Sequence, residues 1–239
     1  MIPTAPAGTV APMPAPVPSS RPAAVRQEIR PGAWLDARRA LWLAEFRWLV
    51  VADLHWGYAQ SHRARGNLMP LWGDAELADR LDALAADYAP AAMVWLGDSV
   101  HAAEGAAAAE AYLARSAVPV TVLAGNHDRR WAGAVQRTLR AGPWFFHHGD
   151  RDEPVPTGCT EVVGHHHPAA HLEAGPGSRL KFPALADSGS RLILPAFSPW
   201  AAGTAWNERR APGDALWVIA PHRIFPLPIS LRPAEAPAP

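Results

Sequence analysis

Seven side chains with nitrogen or oxygen donors fall in short polar clusters: Asp53 and His55, Asp98, Asn126, His148, and His165 with His167. No thiol is among them. Imidazole, carboxylate and carboxamide donors together are what two divalent ions a few ångström apart take when they share one bridging carboxylate, as in hydrolytic two-metal sites. Asp98 is the natural bridge. The pairs Asp53/His55 and His165/His167 have i, i+2 spacing, which in extended chain sends both side chains to one side and lets each pair reach one cavity. Gly97, Gly125, Gly149 and Gly164 flank the donors and allow backbone to approach where a Cβ would obstruct.

The elements that must position these donors are legible around them. Apolar runs end abruptly in each cluster: Trp48 to Ala52, Met93 to Leu96, Val120 to Ala124, Trp144 to Phe146, and Val162-Val163. Such runs predict buried strands, with every cluster at a strand's C-terminal end. Asp74 to Tyr88 carries Leu77, Leu81, Leu84 and Ala85 at helical spacing, and Glu104 to Ser116 is rich in helix formers. Strand and helix alternate, which predicts an α/β fold with a largely parallel sheet, whose ligands bind outside the carboxyl ends of its strands. The clusters are therefore expected to converge. Beyond His167 the short runs Arg191 to Phe197, Ala215 to Ala220 and His222 to Leu227 predict a second, more antiparallel sheet packed on the first.

Composition bounds the function. The chain has 239 residues, enough for one good-sized domain. No run approaches the ~18–20 uninterrupted apolar residues that a membrane span needs. Basic and acidic residues balance at 22 each, so no global charge steers the protein to nucleic acid, and any polyanion site must be local. The single cysteine, Cys159, excludes an internal disulfide and a cysteine-only zinc cage, and makes a reducing cytoplasm the expected location. Residues 1–31 are rich in Pro and Ala and predict a disordered arm without the basic start of a signal peptide. Residues 32–228 form the expected domain, and 229–239 a flexible tail.

The motifs Asp53-x-His55, Gly97-Asp98, Gly125-Asn126-His127-Asp128, His148-Gly149-Asp150 and Gly164-His165-x-His167, in this order, resemble the signature of the calcineurin-like metallophosphoesterases. That resemblance implies a four-layer α/β/β/α sandwich. It implies one metal held by Asp53, His55, Asp98 and His167 and the other by Asp98, Asn126, His148 and His165. It also gives His127 the role of assisting the leaving group or stabilising the transition state, with Asp128 orienting His127. A closer likeness runs through Asp53-Leu54-His55-Trp56-Gly57, Gly97 to His101, Gly125 to Arg129 and Leu194 to Phe197, and is to the bacterial DNA ligase-associated metallophosphoesterases. It implies a phosphodiesterase or endonuclease acting on nucleic acid in DNA repair, associated with an ATP-dependent DNA ligase and a helicase. Tyr58 stands where a basic residue is expected, His166 is an unusual residue between two donors, and the segment Ser198 to Arg210 is idiosyncratic.

Two divalent ions lower the pKa of a shared water towards neutrality and so supply hydroxide for in-line attack on phosphorus. The donor set suits manganese, taken first, with iron or zinc as alternatives; its histidine content argues against an all-magnesium site. Around the ligands, Arg129, His101 and Trp56 are the candidate substrate contacts. Trp131, Trp200 and Trp206 are further stacking candidates, and Arg63, Arg65, Arg130, Arg209 and Arg210 further phosphate contacts, with packing or solvated roles in competition. His147 adjoins a ligand in a strand and so points away from it, towards packing or the surface. Two other classes stay open: the same site on a small nucleotide or lipid-linked pyrophosphate, and a non-catalytic scaffold.

Overall fold

The computed structural model describes residues 24–133, 136–209 and 211–227. Most of the expected arm, the whole expected tail, Arg210 and the Arg130 side chain lie outside that description. β1 (Arg26–Arg30), β2 (Ala33–Asp36) and β3 (Ala40–Leu43) run antiparallel into β4 (Trp48–Val51). β4 then pairs in parallel with β5 (Ala92–Leu96), and β5 with β6 (Val120–Leu123).

Three helices serve this first sheet: α1 (Tyr58–Ala64), α2 (Gly73–Tyr88) and α3 (Ala106–Arg115). In α2, Leu77, Leu81 and Leu84 recur at i, i+4 and i+7 and are buried with Leu49, Val51, Met93 and Trp95 on the sheet's outer face. The Asp74 carboxylate at the start of α2 accepts from the Gly57 backbone N–H at 3.1 Å and from Gln60 Nε2 at 2.9 Å. That bond ties the helix to the loop carrying Asp53 and His55.

The second sheet holds β7 (Thr138–Ala141), β8 (Trp144–His147), β9 (Thr160–Val163), β10 (Pro168–Gly175), β11 (Ser178–Asp187), β12 (Arg191–Ile193) and β13 (Thr204–Ala205), with β14 (Ala215–Ala220) and β15 (Arg223–Pro226) attached through β11. β8, β9 and β12 are parallel neighbours, which sends the His148 and His165 clusters out at the same end. The sheets pack face to face, with Leu41, Val50 and Val94 of one buried in a common core with Phe146, Val162 and Leu192 of the other.

Two expectations change. The disordered arm ends earlier than residue 31, because Arg26–Arg30 is a paired strand. Val25 and Ile29 pack on the inter-sheet core, Arg30 pairs with Asp187, and the Arg26 guanidinium lies over the Trp34 ring. The prolines upstream dominated the composition of that window. The α/β class holds, but the fourth layer does not: among the described residues, helices cover only the first sheet. The outer cluster of the second sheet, including Val163, Ala184 and Val218, is covered instead by Leu172, Phe182, Trp206 and Phe225.

Candidate metal centre

All seven expected donors meet at the carboxyl ends of β4, β5, β6, β8 and β9. The backbone brings them together differently from the expectation of an extended i, i+2 pleat. Asp53, His55, Asp98, His165 and His167 all have left-handed backbone, with φ between 45° and 63°. They are five of the eight described non-glycine residues with positive φ. Such a conformation costs an L-residue ~1–2 kcal/mol, so the chain carries strain where the donors turn inward. The loops are held by pairing beyond the strands: His55 N–H donates to Asp98 O and Trp56 N–H to Ser99 O, each at 2.9 Å. Gly97 and Gly125 permit the close approach. A Cβ at Gly97 would stand 2.6 Å from the His148 ring, and one at Gly125 2.3 Å from the Asp98 amide nitrogen.

Three donor groups result among the described residues, one of them His55, His101 and His127 at the mouth, the other two deeper. In the first deeper group the ligand atoms of Asp53, His55 and His167 lie within 4.8 Å of one another, as do those of Asp98, His148 and His165 in the second. In the second group His148 Nδ1 lies 2.7 Å from Leu96 O, so that nitrogen carries the hydrogen and Nε2 presents a lone pair. That lone pair faces His165 Nδ1 and Asn126 Oδ1, each at 3.2 Å, and Asp98 Oδ2 at 3.3 Å. In the first group His55 Nδ1 and His167 Nε2 are buried without a hydrogen-bond partner, and His167 Nε2 stands 3.2 Å from Asp53 Oδ1. Converging acceptors that only a cation or a proton can reconcile fit divalent ions. Burial opposes a charged His55, whose pKa is pushed down to about 4, leaving a neutral imidazole able to ligate. Burial opposes a charged His148 too, but hydrogen bonding to Asp98 and the nearby Asp53 and Asp98 charges lift its pKa to about 9.

His127 sits at the mouth of the site, exposed, its ring edge-on to His55 at 5.2 Å. Its backbone N–H donates to Asp98 Oδ1 at 2.8 Å, and its Nδ1–H to His101 O at 2.9 Å, so Nε2 is the free nitrogen. The expectation that Asp128 orients His127 is therefore corrected. The Asp128 carboxylate, buried, accepts instead from the amides of Gly125 (2.9 Å), Val100 (3.0 Å) and Ser99 (3.2 Å), clamping the loops after β5 and β6 together. His101 orients the ring through its carbonyl, and its own ring stacks on His127 at 5.0 Å. Burial and the neighbouring His127 hold His101 down to about 4.

The substrate contacts divide. Arg129 is exposed and lines a cavity of about 420 Å³ with His127, Asn126 and Trp131. Trp56 is corrected: it is 3% exposed and packs against Tyr112, so no base can stack on it. Trp56→Leu is accordingly expected to cost ~1–3 kcal/mol of stability by leaving a cavity, while KM stays at the wild-type value. Thermal denaturation beside steady-state kinetics checks this, and a raised KM in folded protein would restore the stacking role. Trp131 is buried, its Nε1 donating to Glu110 at 3.0 Å. Trp206 stands 5.7 Å from the His166 ring and closes the second sheet. Tyr58, which sequence reasoning registered only as a departure, packs its ring on His62 (4.4 Å) and His101 (4.5 Å) beside the site. His147 is buried and bonded to Glu161 at 2.6 Å, as its position in the strand implied.

A two-sheet sandwich that gathers imidazole, carboxylate and carboxamide donors at its strand ends defines a metal-dependent phosphoric ester hydrolase. The calcineurin-like phosphoesterase family matches residues 46–220, and the chain belongs to that family. The fold is similar to the crystal structure of the Pseudomonas putida nuclease MPE, at 27% identity and a TM-score of 0.65, with 85% of this chain and 100% of that one covered. Yfce, a phosphoesterase from E. coli, is similar at 16% identity and a TM-score of 0.43, with coverages of 77% and 99%. Comparison with curated proteins gives no match.

Proposed function

We propose that this chain is a dinuclear metal-dependent phosphodiesterase that cleaves nucleic acid, with manganese as its metal and DNA repair as its setting. The observation that carries the reading is the confrontation of His148 Nε2 with His165 Nδ1, Asn126 Oδ1 and Asp98 Oδ2, all within 3.3 Å. Asp53, His55, Asp98 and His167 would hold one ion, and Asp98, Asn126, His148 and His165 the other. Bound there, divalent ions supply an activated water and neutralise the non-bridging phosphate oxygens. The chain's own residues do the rest. The His127 amide holds Asp98 in place, and the His101 carbonyl aims His127 Nε2 at the site mouth, where a proton on it can reach a leaving oxygen. Asp128 keeps the two loops rigid while the phosphate binds.

Nucleic acid as substrate is supported by the similarity to a protein named as a nuclease and by the likeness of the motifs to ligase-associated metallophosphoesterases. The same likeness supports association with an ATP-dependent DNA ligase and a helicase, and the single cysteine supports a reducing, cytoplasmic setting. A manganese-supplemented panel of bis-p-nitrophenyl phosphate, p-nitrophenyl phosphate, single-stranded DNA, RNA and UDP-linked pyrophosphates tests the reading. The expected pattern is diester and polynucleotide cleavage that chelation abolishes. Cleavage of the monoester alone would overturn it, and cleavage of the pyrophosphates alone would move the substrate to the small-molecule class.

A further inference from the structure

A second, smaller cavity of about 140 Å³ opens directly beside His167, lined by Arg39, Lys181, Pro168, Ala196 and Gly203. Its volume is well under the ~300–1,000 Å³ that encloses a whole small-molecule ligand, so it suits one chemical group. Its walls are Pro, Ala and Gly apart from the two cations and the metal-ligand histidine. Lys181 is the only lysine among the 22 basic residues of the chain, and it is exposed at this mouth. Arg39 reaches in from the turn between β2 and β3. Its Nη1 donates to Ser198 O (2.7 Å) and Ala196 O (3.2 Å), while no carboxylate among the described residues pairs with it or with Lys181. Behind it the Arg80 guanidinium donates to Phe197 O at 2.5 Å and stands 3.8 Å from Glu76, while the Asp53 carboxylate is engaged with His167 at 3.2 Å. Burial holds Arg39 below the ordinary arginine range; burial and the Arg39 charge bring Arg80 down to about 10. Arg39 and Lys181 line the cavity without a carboxylate of the described residues paired to either, which leaves local positive charge that an anion would relieve.

We infer that this cavity is a subsite for a second, uncleaved phosphate of the substrate, held by Arg39 and Lys181 while the scissile phosphate lies at the metal centre. The inference rests on the phosphodiesterase reading above and narrows it: the preferred substrate carries two or more phosphates along one chain, as an oligonucleotide does and a dinucleotide does not. None of the expected phosphate contacts in the sequence, Arg129 included, belongs to this cavity.

The test compares dithymidylate, with one phosphate, with trithymidylate, with two, and with the two trithymidylates in which one linkage is a neutral methylphosphonate. Wild-type enzyme is expected to prefer trithymidylate over dithymidylate in kcat/KM by about tenfold, the weight of one charge-assisted contact. One of the methylphosphonate isomers should lose that preference, and Lys181→Ala should lose it on the natural substrate. Lys181 is the residue to change because Arg39 also holds the 196–198 loop. Binding is read separately with the wild-type protein, in which Lys181 offers the single side-chain amine. Oligothymidylate or inorganic tripolyphosphate should slow its acetylation by acetic anhydride, followed by mass spectrometry. Equal preference in wild type and Lys181→Ala, or acetylation unaffected by either polyanion, overturns the subsite. Failure to hydrolyse bis-p-nitrophenyl phosphate with manganese, while the polyanions still protect Lys181, overturns the phosphodiesterase reading and leaves the anion site standing.

Discussion

Asp98→Ala is expected to abolish turnover and to lower bound manganese from two ions per chain to one or fewer, in protein that still folds. Asp98 faces the His148 group directly: Oδ2 stands 3.3 Å from His148 Nε2, and Oδ1 accepts the His127 amide at 2.8 Å. Burial would raise its pKa, but the His148 hydrogen bond and charge, with the His127 amide, hold it well below the usual carboxylate range, so it is ionised and ready to ligate. Losing an outer-shell partner of a metal ligand costs ~10–100-fold, and losing a ligand that both ions share would cost more. Stability supplies a second readout. Saturating manganese stabilises the native state by ~2.7 kcal/mol at a hundred times Kd, so wild-type melting temperature should rise on adding the ion and that of Asp98→Ala should rise far less. Elemental analysis of metal content, with melting curves taken with and without manganese, checks both. Two ions per chain and near-normal activity in the variant would remove Asp98 from the bridge.

His127→Ala is expected to leave metal content unchanged and to lower kcat by ~10²–10³, the loss of ~2.7–4 kcal/mol typical of one well-placed transition-state donor. Metal binding survives because only the backbone of His127 touches Asp98, and alanine keeps that N–H. The size of the loss depends on the leaving group. A nucleoside alkoxide needs a proton as it departs and p-nitrophenolate does not, so a proton held on Nε2 makes the variant far worse on oligonucleotides than on bis-p-nitrophenyl phosphate. Equal losses on the two would give His127 a purely electrostatic role, and wild-type rates on both would leave it none.

The donors were readable because each follows an apolar run that ends in a polar cluster, and strand ends are where an α/β sheet presents ligands. Helices α2 and α3 were readable for the same local reason, the 3.6-residue recurrence of Leu and the run of alanines. The role expected for Asp128 failed because adjacency to His127 in sequence says nothing about which amides a buried carboxylate will find; Asp128 turns back to Gly125, Val100 and Ser99. Trp56 failed similarly: it follows the expected ligand His55, yet the chain, left-handed at His55, leaves the indole buried against Tyr112. β1 was lost beneath the proline-rich composition that precedes it, although Ile29 and Val25 have a core to join.

By itself the amino-acid sequence determined the chemistry: which donor types are present, that none is sulfur, in what order they come, and that a strand delivers each cluster. Those are local properties, written in runs of a few residues. Only the tertiary structure decided which donors confront one another, why left-handed backbone rather than a pleat aims them, and that Arg39 and Lys181 share a cavity with His167. Residues 39, 167 and 181 come from a turn in one sheet and from a strand end and a strand in the other. Such distances are set by strand pairing and the packing of two sheets, which no local pattern encodes.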